Sequence, residues 1–318
     1  MTIALSTPEL GSAAAVGDVR LPLVFTALDP ISHGAGTAGN TQLLRTQDVV
    51  LPDGRRTAVP YISGNSVRHR LRDALAWHLV RLLGVPEYSL PKRVVDLLWS
   101  GGALTSTGNQ AELAVMRDTD ATLPGLGMLG YSARSDITAG TLWVDNVHLV
   151  CAENQWRLPA HLAGHPHAGQ VAGVYRGEAF GTRHDVAGST PSRFIELLAG
   201  DTLDATPVKT DTTQMIYDMQ VVKAGSVLFG GLLLSAPTIG HVAALATALD
   251  VAAPVVGAHR TITLGGKGST GYGRCRLDVD LADIGGTGWT VADLRAGYEA
   301  HLSTNRDRIL ALLGEVVG

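Results

Sequence analysis

Residues 61–83 read YISGNSVRHRLRDALAWHLVRLL, and this stretch decides the fold. A short apolar run meets a Ser-Gly-Asn-Ser break and then a helical period. Val67, Leu71, Leu75, Leu79 and Leu82 recur at steps of four or three, so one face of the helix seeks a core. Ser63, Asn65 or Ser66 can cap its start. Arg68, His69, Arg70 and Arg72 crowd the first two turns, where the partial positive charge of a helix N-terminus disfavours cations. Two readings stay open on this stretch. The basic side chains and free backbone N–H groups form an anion site, or Arg70 pairs with Asp73 and the other cations are solvated.

Before this helix, Leu21 to Leu28 reads as a strand that stops at Asp29-Pro30, and Val49 to Val59 as a hairpin around Pro52-Asp53-Gly54. After it come a short helix, Lys92 to Trp99, a Gly/Pro-punctuated apolar segment at 121–130 and a strand from Thr141 to Cys151. Residues 153–215 have no regular period and read as an inserted lobe. Its His161, His165, His167 and His184 match no zinc spacing, so no metal is expected. Met215 to Gln220 and Val221 to Leu234 are strand-like, Thr238 to Ala252 is helical, and strands at Thr261–Leu264 and Leu277–Leu281 flank a glycine loop. A last helix starts at Thr290 with Asp293 in capping-box position, and Leu294, Tyr298 and Leu302 form its apolar stripe. Without the insertions the order is strand, helix, strand, strand, helix, strand. That is an α+β chain with the βαββαβ arrangement of ferredoxin-like and RNA-recognition folds.

The composition limits the function. The chain has 318 residues, 45% hydrophobic and 17% charged, which describes a folded globular chain. Its formal net charge is −4, so a polyanion must be held by local basic patches and not by the overall field. Two cysteines, Cys151 and Cys275, and an N-terminus without a basic n-region point to a reducing, cytoplasmic setting. Val227 to Leu249 lacks charge, but Pro237, His241 and the Gly230-Gly231 pair interrupt it, so no membrane span is expected.

Two segments match GxGxxG: Gly34, Gly36, Gly39 and Gly266, Gly268, Gly271. A dinucleotide fingerprint needs a helix directly afterwards, and neither supplies one; Walker and kinase motifs are also missing. The second loop places Lys267, Tyr272, Arg274 and Arg276 among glycines. It reads equally as a phosphate-approaching loop with a stacking ring or as a plain turn with exposed basic residues.

Four segments together carry a resemblance. YISGNSVRHRLRDAL resembles the glycine-serine helix start of the RAMP superfamily, MQVVKAGSVLFGGLLL its paired strands, LGGKGSTGYGRCRLD its C-terminal glycine-rich loop, and DPISHGAG the turn after its first strand. They occur in family order and bracket residues 21–281. The long insertions, the GAGTAGN loop and the LPGLGMLG segment resemble the backbone subunit of class 1 CRISPR effectors, specifically type IV. Residues 1–18, small and polar, read as a flexible arm, and the resemblance implies an RRM-like palm at 19–281. Insertions are implied at about 84–150 and, as a thumb-like hairpin lobe, at about 153–220, with a helical segment at 282–318.

It also implies a non-catalytic protein, without cofactor, that polymerises along a guide RNA (crRNA) into a helical homo-oligomer. Other effector subunits and the complementary target nucleic acid are the further partners of this antiviral ribonucleoprotein. Carried over residue by residue, Arg68 and Arg72 meet phosphates, Asn65 and Ser66 donate from the helix start, and His33, Arg45, Lys267 and Arg274 flank the two loops. Met215 and Tyr217 wedge between bases, and Tyr272 stacks. The loop from His33 to Gln42 contains no acid, unlike that of RNA-cutting relatives, so no target cleavage is expected. The alternatives are an RNA-processing endonuclease of the same superfamily, with His33 as base, and a nucleotide-binding enzyme using GxGxxG.

Overall fold

The computed structural model describes residues 10, 16–102, 113–133, 136–183, 215–282 and 284–317. Alternation of large apolar and small or polar residues makes Val19–Ala27 the central strand β1: Val19, Leu21, Leu23, Phe25 and Ala27 are buried, and the residues between them are not. Gly34–Ala38 and Thr41–Leu44 form the hairpin β2–β3, and Thr46–Val50 and Arg56–Ile62 the expected hairpin β4–β5. Helix α1 follows at Gly64–Leu82, then α2 at Lys92–Ser100, closed by left-handed Gly101.

Helices Leu113–Thr122 (α3) and Pro124–Leu129 (α4) precede the small hairpin Tyr131–Ala133 (β6) and Asp136–Thr138 (β7). The strand expected at Thr141–Cys151 is two short strands, Leu142–Val144 (β8) and Val147–Leu149 (β9). The turn between them brings Asn146 to the start of α1, where its Oδ1 accepts from Gly64 N at 2.9 Å. Four short 3-10 helices punctuate 152–175, and then come Arg176–Arg183 (β10), Met215–Val222 (β11) and Val227–Leu234 (β12). Helix α5 spans Ile239–Ala252, strands β13, β14 and β15 span Val255–Val256, His259–Thr263 and Arg274–Asp278, and helices α6 and α7 span Val291–Thr304 and Arg306–Val317. The single last helix expected from sequence is thus two, parted at Asn305.

The main sheet runs β13-β14-β15-β1-β12-β9-β5-β4, with β8 also on β12. Its centre, β15-β1-β12-β9, is antiparallel throughout. A second sheet runs β10-β11-β3-β2. Core residues of β1 and β12 share one cluster with Val67, Leu71, Leu75 and Leu79 of α1 and with α5, which is buried all round from Gly240 to Leu249. Thr238 and His241 close α5's start reciprocally, as Thr290 and Asp293 do for α6. On β12 the alternate residues Val227 and Phe229 face the other way, into a smaller cluster with Val150, Leu162 and Ala168 beneath the 3-10 turns. Leu10, within the stretch expected to be a loose arm, is 2% exposed and sits in the main core; residues 1–9 and 11–15 of that arm lie outside the described residues. Among the described residues no helix is long and apolar enough to cross a membrane.

Candidate nucleic-acid interface

Three segments far apart in sequence interlock at one end of the main sheet. After β1 the chain turns through Asp29-Pro30 into Ile31–His33. Leu28 N and Asp29 N donate to Arg274 O at 2.8 and 3.1 Å, Gly273 N donates to Pro30 O at 2.8 Å, and Gly266 N donates to Ser32 O at 2.8 Å. The start of α1 closes the seam. Ser63 N donates to His33 Nε2 at 3.1 Å, Gly265 N donates to Ser66 Oγ at 3.1 Å, and Arg70 Nη2 donates to Gly265 O at 3.3 Å. On the far side, Ile31 and Val222 exchange backbone bonds of 2.8 and 2.9 Å, tying the turn to the end of β11.

Glycine is required where these backbones touch. A Cβ on Gly64 would lie 2.5 Å from Val144 O and 2.8 Å from Asp145 O. Gly265 and Gly273 have φ of +73° and +83° and press against Ser32 O and Leu264 O. Between them Lys267 holds φ +60°, and its carbonyl accepts from Thr270 N at 3.0 Å, closing a tight turn at Gly268–Thr270 whose residues are exposed. Neither GxGxxG run opens a helix. Gly34–Ala38 is the edge strand β2, and Gly271 leads into β15.

The seam gathers much of the expected set. Arg45 Nη2 donates to Gly34 O at 3.3 Å, Lys267 and Tyr272 are half-buried in the loop, and Arg274 is exposed with its Nε 3.1 Å from Asp29 Oδ2. Asn65 is exposed on the first turn of α1, and the hydroxyl of Ser66 is committed to Gly265. Burial, and then the Arg45 guanidinium, lower the pKa of His33 to about 4. Its Nε2 therefore serves as the acceptor for Ser63 N, the residue before the helix, while the Ser63 side chain makes no capping bond to the first turn. Met215 and Tyr217 lie on β11, where they pair with Arg183 and Gly181, but their side chains are outside the described residues.

Arg68 and Arg72 correct the sequence reading. Arg68 donates to Leu142 O at 2.7 Å and to Leu129 O. Arg72, 8% exposed, donates from Nη2 to Gly130 O at 2.7 Å and to Leu129 O at 3.2 Å. Their guanidinium groups hold the end of α4 and strand β8, not solvent phosphates. Helical rotation gives the reason: two residues turn the helix by about 200°, so the pair Ser66 and Arg70 faces the glycine loop and Arg68 and Arg72 face away. Burial and the neighbouring Arg68 lower the pKa of Arg72 to about 10, so it stays charged at neutral pH. The sequence reading did not assign to the site the loop-facing Arg70, the capping Asn146 or the Asp29 carboxylate beside Arg274. The signal for Arg70 was its i, i+4 spacing from Ser66.

No family model matches the sequence, and no curated protein does. A chain of a solved structure described as a type IV-B CRISPR complex is similar in three dimensions, with a TM-score of 0.54 and 20% identity, covering 84% of this chain and 92% of that one. At that identity the likeness is one of fold. Over 84% of its length, the protein therefore has the fold of a chain from a type IV-B CRISPR complex.

Proposed function

We propose that the protein is a non-catalytic guide-RNA-binding backbone subunit of a class 1 CRISPR effector, of type IV, and that copies of it stack along the guide into a helical filament. The observation that carries this reading is the seam: the turn after β1, the start of α1 and the glycine loop are joined by direct hydrogen bonds, with Arg45, Arg70, Lys267 and Arg274 around them. Numbered by chain order, β15-β1-β12-β9 runs fourth, first, third, second. That order, with α1 and α5 on one core, supports a ferredoxin-like RAMP palm. The lobe containing β10 and β11 then serves as the thumb, and the likeness to a type IV-B CRISPR complex chain supports the assignment.

Small backbone-exposing residues and separate cations suit contact with ribose-phosphate, leaving sequence to base pairing by the guide. The absence of catalysis in this reading is supported by His33, whose Nε2 is occupied by Ser63 N and whose pKa lies near 4, unsuited to a general base at neutral pH. The test is anisotropy of a labelled guide RNA against the wild type and the double variant Arg70→Glu, Lys267→Glu. Affinity falls at least about tenfold if these groups meet phosphates. Unchanged affinity in a folded variant rejects the seam as the interface.

A further inference from the structure

Arg72 carries a donor that the fold does not use. Its Nη2 serves the carbonyls of Leu129 and Gly130, while Nη1, wholly buried, has no hydrogen-bond partner among the described residues. A buried donor on a charged group costs more to leave unpaired than a neutral one. The charge is unmatched as well. Arg68 and Arg72 share the Leu129 carbonyl, both donate only to main-chain oxygens, and no carboxylate pairs with either among the described residues. The carbonyl end of a helix offers about half an elementary charge, against two full cations here.

The same side chain lines a cavity of about 20 Å³ between four helices. Leu75 and Leu79 of α1, Leu98 of α2 and Leu126 of α4 give it apolar walls, and Tyr298 of α6 adds a hydroxyl. Tyr298 is 4% exposed, and its oxygen accepts from the Gly125 backbone N–H, which leaves its own hydrogen to donate. No carboxylate or side-chain amide stands in the wall. Space of this size holds one water-sized particle.

We propose that the cavity binds a single halide ion, chloride in ordinary buffers, held by Arg72 Nη1 and the Tyr298 hydroxyl. A halide accepts from every direction and donates nothing, which suits a site made of two donors and leucines. A water in its place turns its hydrogens toward apolar walls. Sulfate and phosphate, with five heavy atoms each, exceed the space. The ion offsets part of the paired guanidinium charge and ties α1, α2, α4 and α6 at one point. The site does not depend on the guide-RNA reading, because it lies on the side of α1 that faces away from the glycine loop.

The test is thermal denaturation of the full-length protein from about 5 to about 500 mM sodium chloride, with sodium glutamate holding ionic strength constant. A ligand that binds only the folded chain stabilises it logarithmically with concentration. Each tenfold rise in chloride above the dissociation constant therefore raises the midpoint by about 2 °C. Tyr298→Phe removes one donor, keeps the ring, and moves the onset of this response to about tenfold higher chloride. Arg72→Met abolishes the response. Crystals grown in bromide show an anomalous peak within hydrogen-bonding reach of Arg72 Nη1. Equal midpoints in chloride and glutamate overturn the proposal, as does density in the cavity without an anomalous signal, which marks a water. An unchanged chloride response in a folded Arg72→Met variant overturns it too. Should that variant fail to fold, the wild-type midpoints and the bromide peak decide alone.

Discussion

Replacing Arg72 by Met separates a structural cation from one that meets RNA. Arg72 is 8% exposed, and its Nη2 donates to the carbonyls of Gly130 at 2.7 Å and Leu129 at 3.2 Å. Met keeps most of the apolar stem and removes the charge, leaving Gly130 O without this donor and Leu129 O with Arg68 alone. Hydrogen bonds to a charged group contribute about 1.5–3 kcal/mol each, partly offset by the recovered cost of burying the guanidinium. A net loss on the order of 3 kcal/mol follows, which lowers the melting midpoint of a chain this size by roughly 4–5 °C. Thermal denaturation reads the first quantity, and anisotropy with guide RNA, taken well below the midpoint, reads the second. Affinity per folded molecule stays within about twofold of wild type, because the guanidinium faces away from the glycine loop. An unchanged midpoint with lost RNA binding refutes the reasoning and returns Arg72 to the phosphate contacts.

Acid should destabilise the fold through its histidines. Burial, with a neighbouring arginine for the first two, holds His33, His148 and His241 at folded pKa values of about 4. The unfolded chain binds these protons near pH 6.5, so the stabilisation is complete above that pH and is lost as pH falls toward 4; a urea midpoint that stays constant from about pH 7 to about pH 5 contradicts this. Asp29→Asn releases Arg274 from its carboxylate partner and should tighten RNA binding by at most about fivefold, the ceiling for an exposed pair; weaker binding of the folded variant counts against Arg274 as a phosphate ligand. Neutralisation of about four phosphates by Arg45, Arg70, Lys267 and Arg274 gives a slope of log affinity against log salt of roughly −3, and a flat salt series contradicts it.

Much of the architecture was legible in the residues. The buried face of α1 is the apolar stripe of Val67, Leu71, Leu75 and Leu79, because a 3.6-residue period has one dominant core-facing solution. The capping box of Thr290 and Asp293 and the hairpin at Pro52-Asp53-Gly54 are local, so short-range chemistry specifies them. What sequence could not supply was direction around the helix. Four basic residues in five positions cover both sides of α1, and only the packing of α4 and β8 on one side and the glycine loop on the other separates Arg68 and Arg72 from Arg70. The break in the Thr141–Cys151 strand is illegible for a similar reason: it exists because Asn146 must reach Gly64, a contact 82 residues distant. The bond from Ser63 N to the His33 ring is likewise long-range, and the Ser63 hydroxyl cap that local propensity favours does not form.

The most direct measurement is the number of protein copies per particle, by native mass, after co-expression with guide RNAs of graded length. Stacking along the guide predicts nucleic-acid-containing particles whose copy number rises with each added segment of RNA, and their loss in the Arg70→Glu, Lys267→Glu variant. An RNA-free monomer, or a copy number indifferent to guide length, contradicts the account.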